Sequence, residues 1–351
     1  MLNLNCSINV DHKHIVSILD SFRVMTRHNG RLRGSTPGYL WFILFLQFGC
    51  MTPAAAGSSS TSLVPTLTPI QDFQDFIPFG MDPFQFDKPS EISKGSTRIL
   101  FAGAVAARGN DIFVADTVQK LIFRIDRAQR TITTFKALSS GQPTALYLAS
   151  DLSLYVVDRV QNQVLRYTRD GHLVTTFRDS FTLANPVDVM ETAGTGRVLI
   201  ADQLGAKIIE YNRAGAINRT IGQNINRPSP ASSIIAMTAS RDNIYLLDNV
   251  AREVRVTTAD GELLYSAGSP SLKQPVALAV DNCQRLYVAD QFNNAIHVFY
   301  DEDPLTVYEN THPGLSGFLQ ITDLWIDNDF LYVADGPTGK IKVLLIEGNC
   351  R

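Results

Sequence analysis

An all-β, six-bladed β-propeller is the fold class that this 351-residue sequence predicts. Three observations carry it. First, a short apolar run ending in aspartate returns six times, as IFVAD, LYVVD, VLIAD, IYLLD, LYVAD and LYVAD, closing on Asp116, Asp158, Asp202, Asp248, Asp290 and Asp335. Second, the steps between those aspartates are 42, 44, 46, 42 and 45 residues, the length of one four-stranded blade or one helical hairpin repeat. Third, every row is rich in Val, Ile, Tyr, Phe and Thr, is punctuated by Gly, Asn, Asp and Pro, and holds no uninterrupted stretch with helical apolar spacing. The repeats are therefore β.

The rows divide into strands in a fixed order. In the fifth row QPVALAVDN is a first strand, RLYVAD a second, NAIHVFY a third and LTVYE a fourth; the second row gives PTALYLAS, LYVVD, QVLRYT and HLVTTF in the same order. Four antiparallel strands per row and six rows make a six-bladed ring over residues 99–348. The last row ends after KIKVLLIEGNCR, which supplies only three strands. A ring cannot close on an unpaired edge, so a strand from the lead-in, residues 72–98, is expected to complete it. The candidate is residues 83–92 against 341–346.

Composition sets the outer limits. With 45% hydrophobic and 19% charged residues, the chain can bury a sizeable core. A net charge of −3, and no basic block beyond the extreme N-terminus, gives no field that would gather a phosphate backbone, so nucleic acid is not an expected partner.

Ahead of the rows lies an export pattern. LWFILFLQFGC, ending at Cys50, is an apolar block of about ten residues, too short to span a membrane, which needs roughly twenty. It follows a stretch carrying Arg27, Arg31 and Arg33 and no acid, which is the order of a secretory signal over residues 25–50. Residues 1–24 read as an upstream extension. Residues 51–71, made largely of Ser, Thr, Ala and Pro, read as a flexible tether. The end of the signal resembles the lipobox of bacterial lipoproteins, in which the cysteine is acylated and becomes the new N-terminus. Here Leu46 stands four residues before Cys50, where the family usually has Leu three before it. A plain signal cleaved near residues 54–56 and an uncleaved anchor are the alternatives. By the same resemblance Met51, standing where an Asp would favour the inner membrane, implies a periplasm-facing outer-membrane lipoprotein of the cell envelope. In that compartment Cys283 and Cys350 can form a disulfide or stay as two small hydrophobes.

The row form also resembles the NHL repeat, most fully in QPVALAVDNCQRLYVADQFNNAIHVFYDED and YVVDRVQNQVLRYTRDG. The likeness covers all six rows, weakest in the first, with Phe101 in place of the usual proline, and the fourth, with Ser233. It implies the same propeller and a role in recognition and scaffolding, here toward a protein or glycan of the envelope, with the membrane engaged through the acyl anchor.

Positions where rows agree read as structure. A short acceptor at the end of each second strand can take hydrogen bonds from the following turn, and a catalytic acid is needed once, not six times. Positions where rows disagree read as site. Two residues after the usual proline stand Gly103, Ala145, Asp188, Ile235, Ala277 and Asp323. Aspartate occupies only the third and sixth rows, which face each other across the channel that first strands line. Asp188 and Asp323, with Glu191 nearby, would hold a cation or polar ligand, or else pair with local amides. Six-bladed lactonases and related hydrolases hold calcium in this channel. The inner strands here offer little beyond those carboxylates, so the expectation is no cofactor, with Ca2+ or another divalent cation as the alternative. His172, His297 and His312 all fall off the channel wall. The long connections at residues 178–185, 223–232 and 310–320 share one rim, where Phe181, Arg227, His312 and Phe318 are the candidate contacts.

Overall fold

The computed structural model describes residues 63–73, 77–78, 98–192, 194–222, 233–268, 270–313, 315–348 and Cys350. They form six antiparallel sheets, one per predicted row, and no helix occurs among them. Blade 1 runs from Ala102–Arg108 to Thr131–Ala137, blade 2 from Pro143–Leu148 to Leu173–Phe177, and blade 3 from Pro186–Glu191 to Ile217–Ile221. Blade 4 runs from Ile234–Ser240 to Leu263–Ala267, and blade 5 from Pro275–Val280 to Asp303–Tyr308. Blade 6 contributes three strands of its own, Ile321–Asp327, Phe330–Asp335 and Lys340–Glu347.

The strand that completes blade 6 is Thr66–Phe73, antiparallel to Lys340–Glu347, with Thr66 opposite Glu347 and Phe73 opposite Ile341. This corrects the expected closure by residues 83–92, which lie outside the described residues, and it takes residues 66–71 out of the expected tether and into a strand. The reason is burial. Leu67 and Phe73 are fully buried, Leu67 in the seam between blades 5 and 6 and Phe73 in the seam between blades 6 and 1. One strand therefore seals both flanks of its blade. A further short strand, Ile77–Pro78, pairs in parallel with Thr131–Ile132 on the outside of blade 1.

Six apolar clusters fill the six seams between neighbouring blades, so the ring has no free edge. The tyrosines of the recurring run, Tyr155, Tyr245, Tyr287 and Tyr332, are among the largest buried side chains. Second strands are buried along their whole length, apart from the half-buried first residues Asn243 and Phe330, because both faces meet a neighbouring sheet. Cys283 and Cys350 are joined by a disulfide that ties the end of the chain to blade 5.

Every first strand carries an irregularity at the same place, between its first and third residues, as at Pro186/Asp188 and Ile321/Asp323. This bulge corrects the register expected for two rows. The equivalents of Asp188 in blades 1 and 4 are Ala104 and Ala236, not Gly103 and Ile235, because Ala102 and Ile234 occupy the proline position.

Candidate functional site

The six recurring aspartates hold the turns. Each is almost fully buried. Asp290 accepts hydrogen bonds from the amides of Lys273 (2.5 Å) and Gln274 (3.0 Å) in the incoming connection and of Phe292 (3.1 Å) in its own turn. Asp116 does the same with Leu100, Val118 and Gln119, and Asp202 with Ala184, Asn185 and Leu204. Asp158 and Asp248 likewise bridge connection and turn, and Asp335 takes the amides of Leu319 and Gln320. All six turns then bring their fifth residue, counted from the aspartate, into the left-handed region: Lys120, Asn162, Ala206, Arg252, Asn294 and Gly339. Only the last has to be glycine, since a Cβ there would sit 2.2 Å from the carbonyl oxygen of Ile99. We call this side of the ring the cap face and the side bearing the first-to-second and third-to-fourth strand turns the hairpin face.

Asp188 and Asp323 meet in the channel. A cavity of about 250 Å³ is lined by first strands from all six blades and includes both carboxylates. Each reaches from its own blade to the next. Asp188 accepts from the amides of Val189 (2.8 Å) and Met237 (2.7 Å), and Asp323 from Leu324 (2.9 Å) and Val105 (2.8 Å). First strands are inner edge strands, and these carboxylates take amides that the sheet leaves unpaired. Enclosure by protein opposes ionisation and pushes Asp188 up to about 7 and Asp323 up to about 8; the four amides oppose that rise, and the charge of Asp188 adds to it at Asp323.

Glu191 does not join them. Its carboxylate is buried at the hairpin face, paired with Arg213 and accepting from the Tyr155 hydroxyl at 2.6 Å. That bond and burial together hold the Tyr155 phenol far above its ordinary range, burial being the larger cause. Glu191 lines a second recess of about 240 Å³ between blades 3 and 4, with Arg197, Glu210 and Arg241. Tyr147, Met190, Thr238 and Ala239 line both spaces, so this recess borders the central channel.

Sequence reasoning missed three residues of its wall. Tyr147 and Trp325 stack edge to face at 5.6 Å, and the Trp325 indole N–H donates to the Ala107 carbonyl at 2.7 Å. Arg108 reaches the same wall, its Nε buried and without a hydrogen-bond partner among the described residues. The available signal was period two: Trp325 stands two residues beyond Asp323, and Tyr147 two beyond Ala145, on the same strand face.

The expected rim is only partly a surface. Phe181 is 99% exposed. Phe318 is buried, a correction: its connection folds back so that Leu315 and Phe318 plug the seam between blades 5 and 6, under the ammonium of Lys342. His312 is half-buried and edge-on to Tyr308 at 5.0 Å, and burial lowers its pKa. Arg227 lies outside the described residues. Of the other histidines, His297 is buried on a third strand beside Asp290 and His172 is exposed in a turn.

Fold and recess together define a six-bladed β-propeller with a polar central channel. No protein-family model and no curated protein matches the sequence. Solved structures do resemble it. A catalytically inactive virginiamycin B lyase from Staphylococcus aureus with quinupristin aligns at TM-score 0.53 and 14% identity, over 69% of this chain and 79% of that one. The WD40 propeller domain of Doa1 aligns at 0.53 and 9%, over 69% and 77%. A Bacteroides thetaiotaomicron protein of unknown function aligns at 0.56 and 14%, over 72% and 71%. At these identities the likeness is one of fold alone.

Proposed function

We propose that this chain is an exported, lipid-anchored, NHL-type propeller that works as a binding module, recognising a glycan or protein partner of the bacterial cell envelope. The observation that carries the reading is the channel together with the recess that borders it. Their walls offer the rings of Tyr147 and Trp325, the Nε of Arg108, which has no partner among the described residues, and Arg197 and Arg241 in the bordering recess, a mixture suited to a polar, partly apolar ligand. Trp325 is a convenient reporter, because the only other tryptophan, Trp41, lies in the expected signal. Titrating envelope glycan fragments should change Trp325 fluorescence, and a crosslinker placed at residue 241 should capture a reproducible envelope partner. Tyr147→Ala should weaken both. Absence of both the fluorescence change and the crosslink would overturn the reading.

A second reading, a periplasmic hydrolase or lyase using a channel-bound Ca2+ or other divalent cation, draws on the meeting of Asp188 and Asp323 in one cavity. The fit is poor: the oxygens of both already accept amides, and among the described residues no three His, Cys, Asp or Glu side chains cluster as a metal site. Elemental analysis of the purified protein decides it. A stoichiometric divalent ion that Asp188→Ala and Asp323→Ala both remove would favour the enzyme.

A further inference from the structure

The cap face carries a pattern that this recess does not use. Two residues after each cap aspartate, at the tip of the turn, stands an apolar side chain: Val118, Val160, Leu204, Val250, Phe292 and Pro337. All six are exposed, Phe292 at 70% and Leu204 at 65%. In four blades the cap carboxylate grips the tip residue's own amide, which fixes the turn with that side chain outward. Single exposed apolar residues are ordinary. Six at one register position of a closed ring form a level circle.

Charge is divided between the faces in the same sense. Among the described residues, the exposed cations of the cap face are Arg98, Lys120, Arg159, Arg178, Arg252 and Lys273, against Glu309 as its exposed acid. The hairpin face is acidic on balance at its outer turns, with Asp170, Asp260, Glu262, Asp301, Glu302 and Asp303 exposed against Arg169 and Arg213.

We propose that the cap face seats on an anionic phospholipid surface, its six apolar tips entering the headgroup boundary and its lysines and arginines meeting lipid phosphates. The tips are spaced round a ring and separated by polar residues such as Gln119, Gln161 and Gln291. Protein hot spots are contiguous packed clusters. Shallow insertion into a bilayer asks only that separate apolar points share one level, with basic residues between them. The acidic hairpin face turns away from such a surface, which leaves the recess open to the aqueous side. This inference stands apart from the partner reading: loss of lipid binding would leave recognition in the recess untouched.

The test is flotation of the full chain, carrying Cys50→Ser so that no acyl group can hold it, with vesicles of phosphatidylcholine alone or mixed with phosphatidylglycerol. Binding should require the anionic lipid and fall with added salt. The pair Leu204→Asp and Phe292→Asp should weaken it roughly tenfold or more, and Lys120→Glu with Arg252→Glu by a similar factor. Thermal melting should not move in either variant, since the side chains changed are exposed. Equal binding to neutral vesicles, or no binding to anionic ones, overturns the proposal. So does binding that the charge pair abolishes and the tip pair leaves intact, which would mark an acidic protein or other polyanion as the occupant.

Discussion

The cap aspartates and the channel aspartates are one side chain doing one task in two settings. Asp290 and Asp323 both gather backbone amides. Asp290 does so in a turn that every blade repeats, whereas Asp323 does so at a position where four of the six blades have alanine. The difference teaches that a recurring acid here is part of the frame. An acid that breaks the repeat is where the ring departs from symmetry, and with it the chance of a site.

Substitutions separate the two settings. The largest effect is expected at a cap: Asp290→Ala strands three partly buried amides, each worth about 1–3 kcal/mol when unsatisfied, so urea unfolding should show a loss of roughly 4 kcal/mol. Removing the closing strand's anchor comes next, because Phe73→Ala opens a cavity in the seam beside the blade 1 cap at a cost of about 3–4 kcal/mol. An unchanged urea midpoint would mean that another segment closes the ring.

The channel pair should show itself in pH dependence. Folded, Asp188 and Asp323 hold their protons up to about 7 and about 8; unfolded, they release them near the ordinary carboxylate value. Folding therefore takes up protons between these limits. Their contribution is fully present below about pH 4 and is lost as the pH rises through 7 to 8. Asp188→Asn with Asp323→Asn should flatten the change in unfolding free energy between about pH 5 and about pH 8, an effect that screening by water at these half-buried carboxyls holds to roughly 1–3 kcal/mol, below the ~6 kcal/mol of the full shifts. A wild-type profile already flat over that span would place the carboxyls in an ordinary environment.

The smallest effect concerns the frame again. Ala206 occupies the left-handed position that glycine fills in blade 6, at φ 46°. Ala206→Gly should stabilise by up to about 1 kcal/mol, measurable as a small rise in Tm. No gain would show that neighbouring contacts already compensate the strain.

The frame was legible because a ring multiplies its own signal: IFVAD, LYVVD and their fellows repeat the same burial and the same turn. Blade number, strand order and the capping role of the aspartates could all be read from such rows. The closing strand could not, since TLTPIQDF presents only Leu67 and Phe73 to the core amid residues that look like linker. The bulge hid the register of the first and fourth rows, where alanine and isoleucine replace the marker proline. Phe318 misled because a long connection can fold inward. The wall of the channel depends on which of its two faces each first strand turns inward, and a single bulge reverses that assignment. The apolar tips were in plain view as the residue two beyond each aspartate, but only the carboxylate's grip on the turn says that they point outward.

The earliest strand of the propeller to be synthesised, Thr66–Phe73, pairs with the last, Lys340–Glu347. A chain emerging N-terminus first cannot finish its sixth blade until its synthesis is almost complete. Until then Leu67 and Phe73 have no seam to enter, so a holding chaperone would find its substrate there.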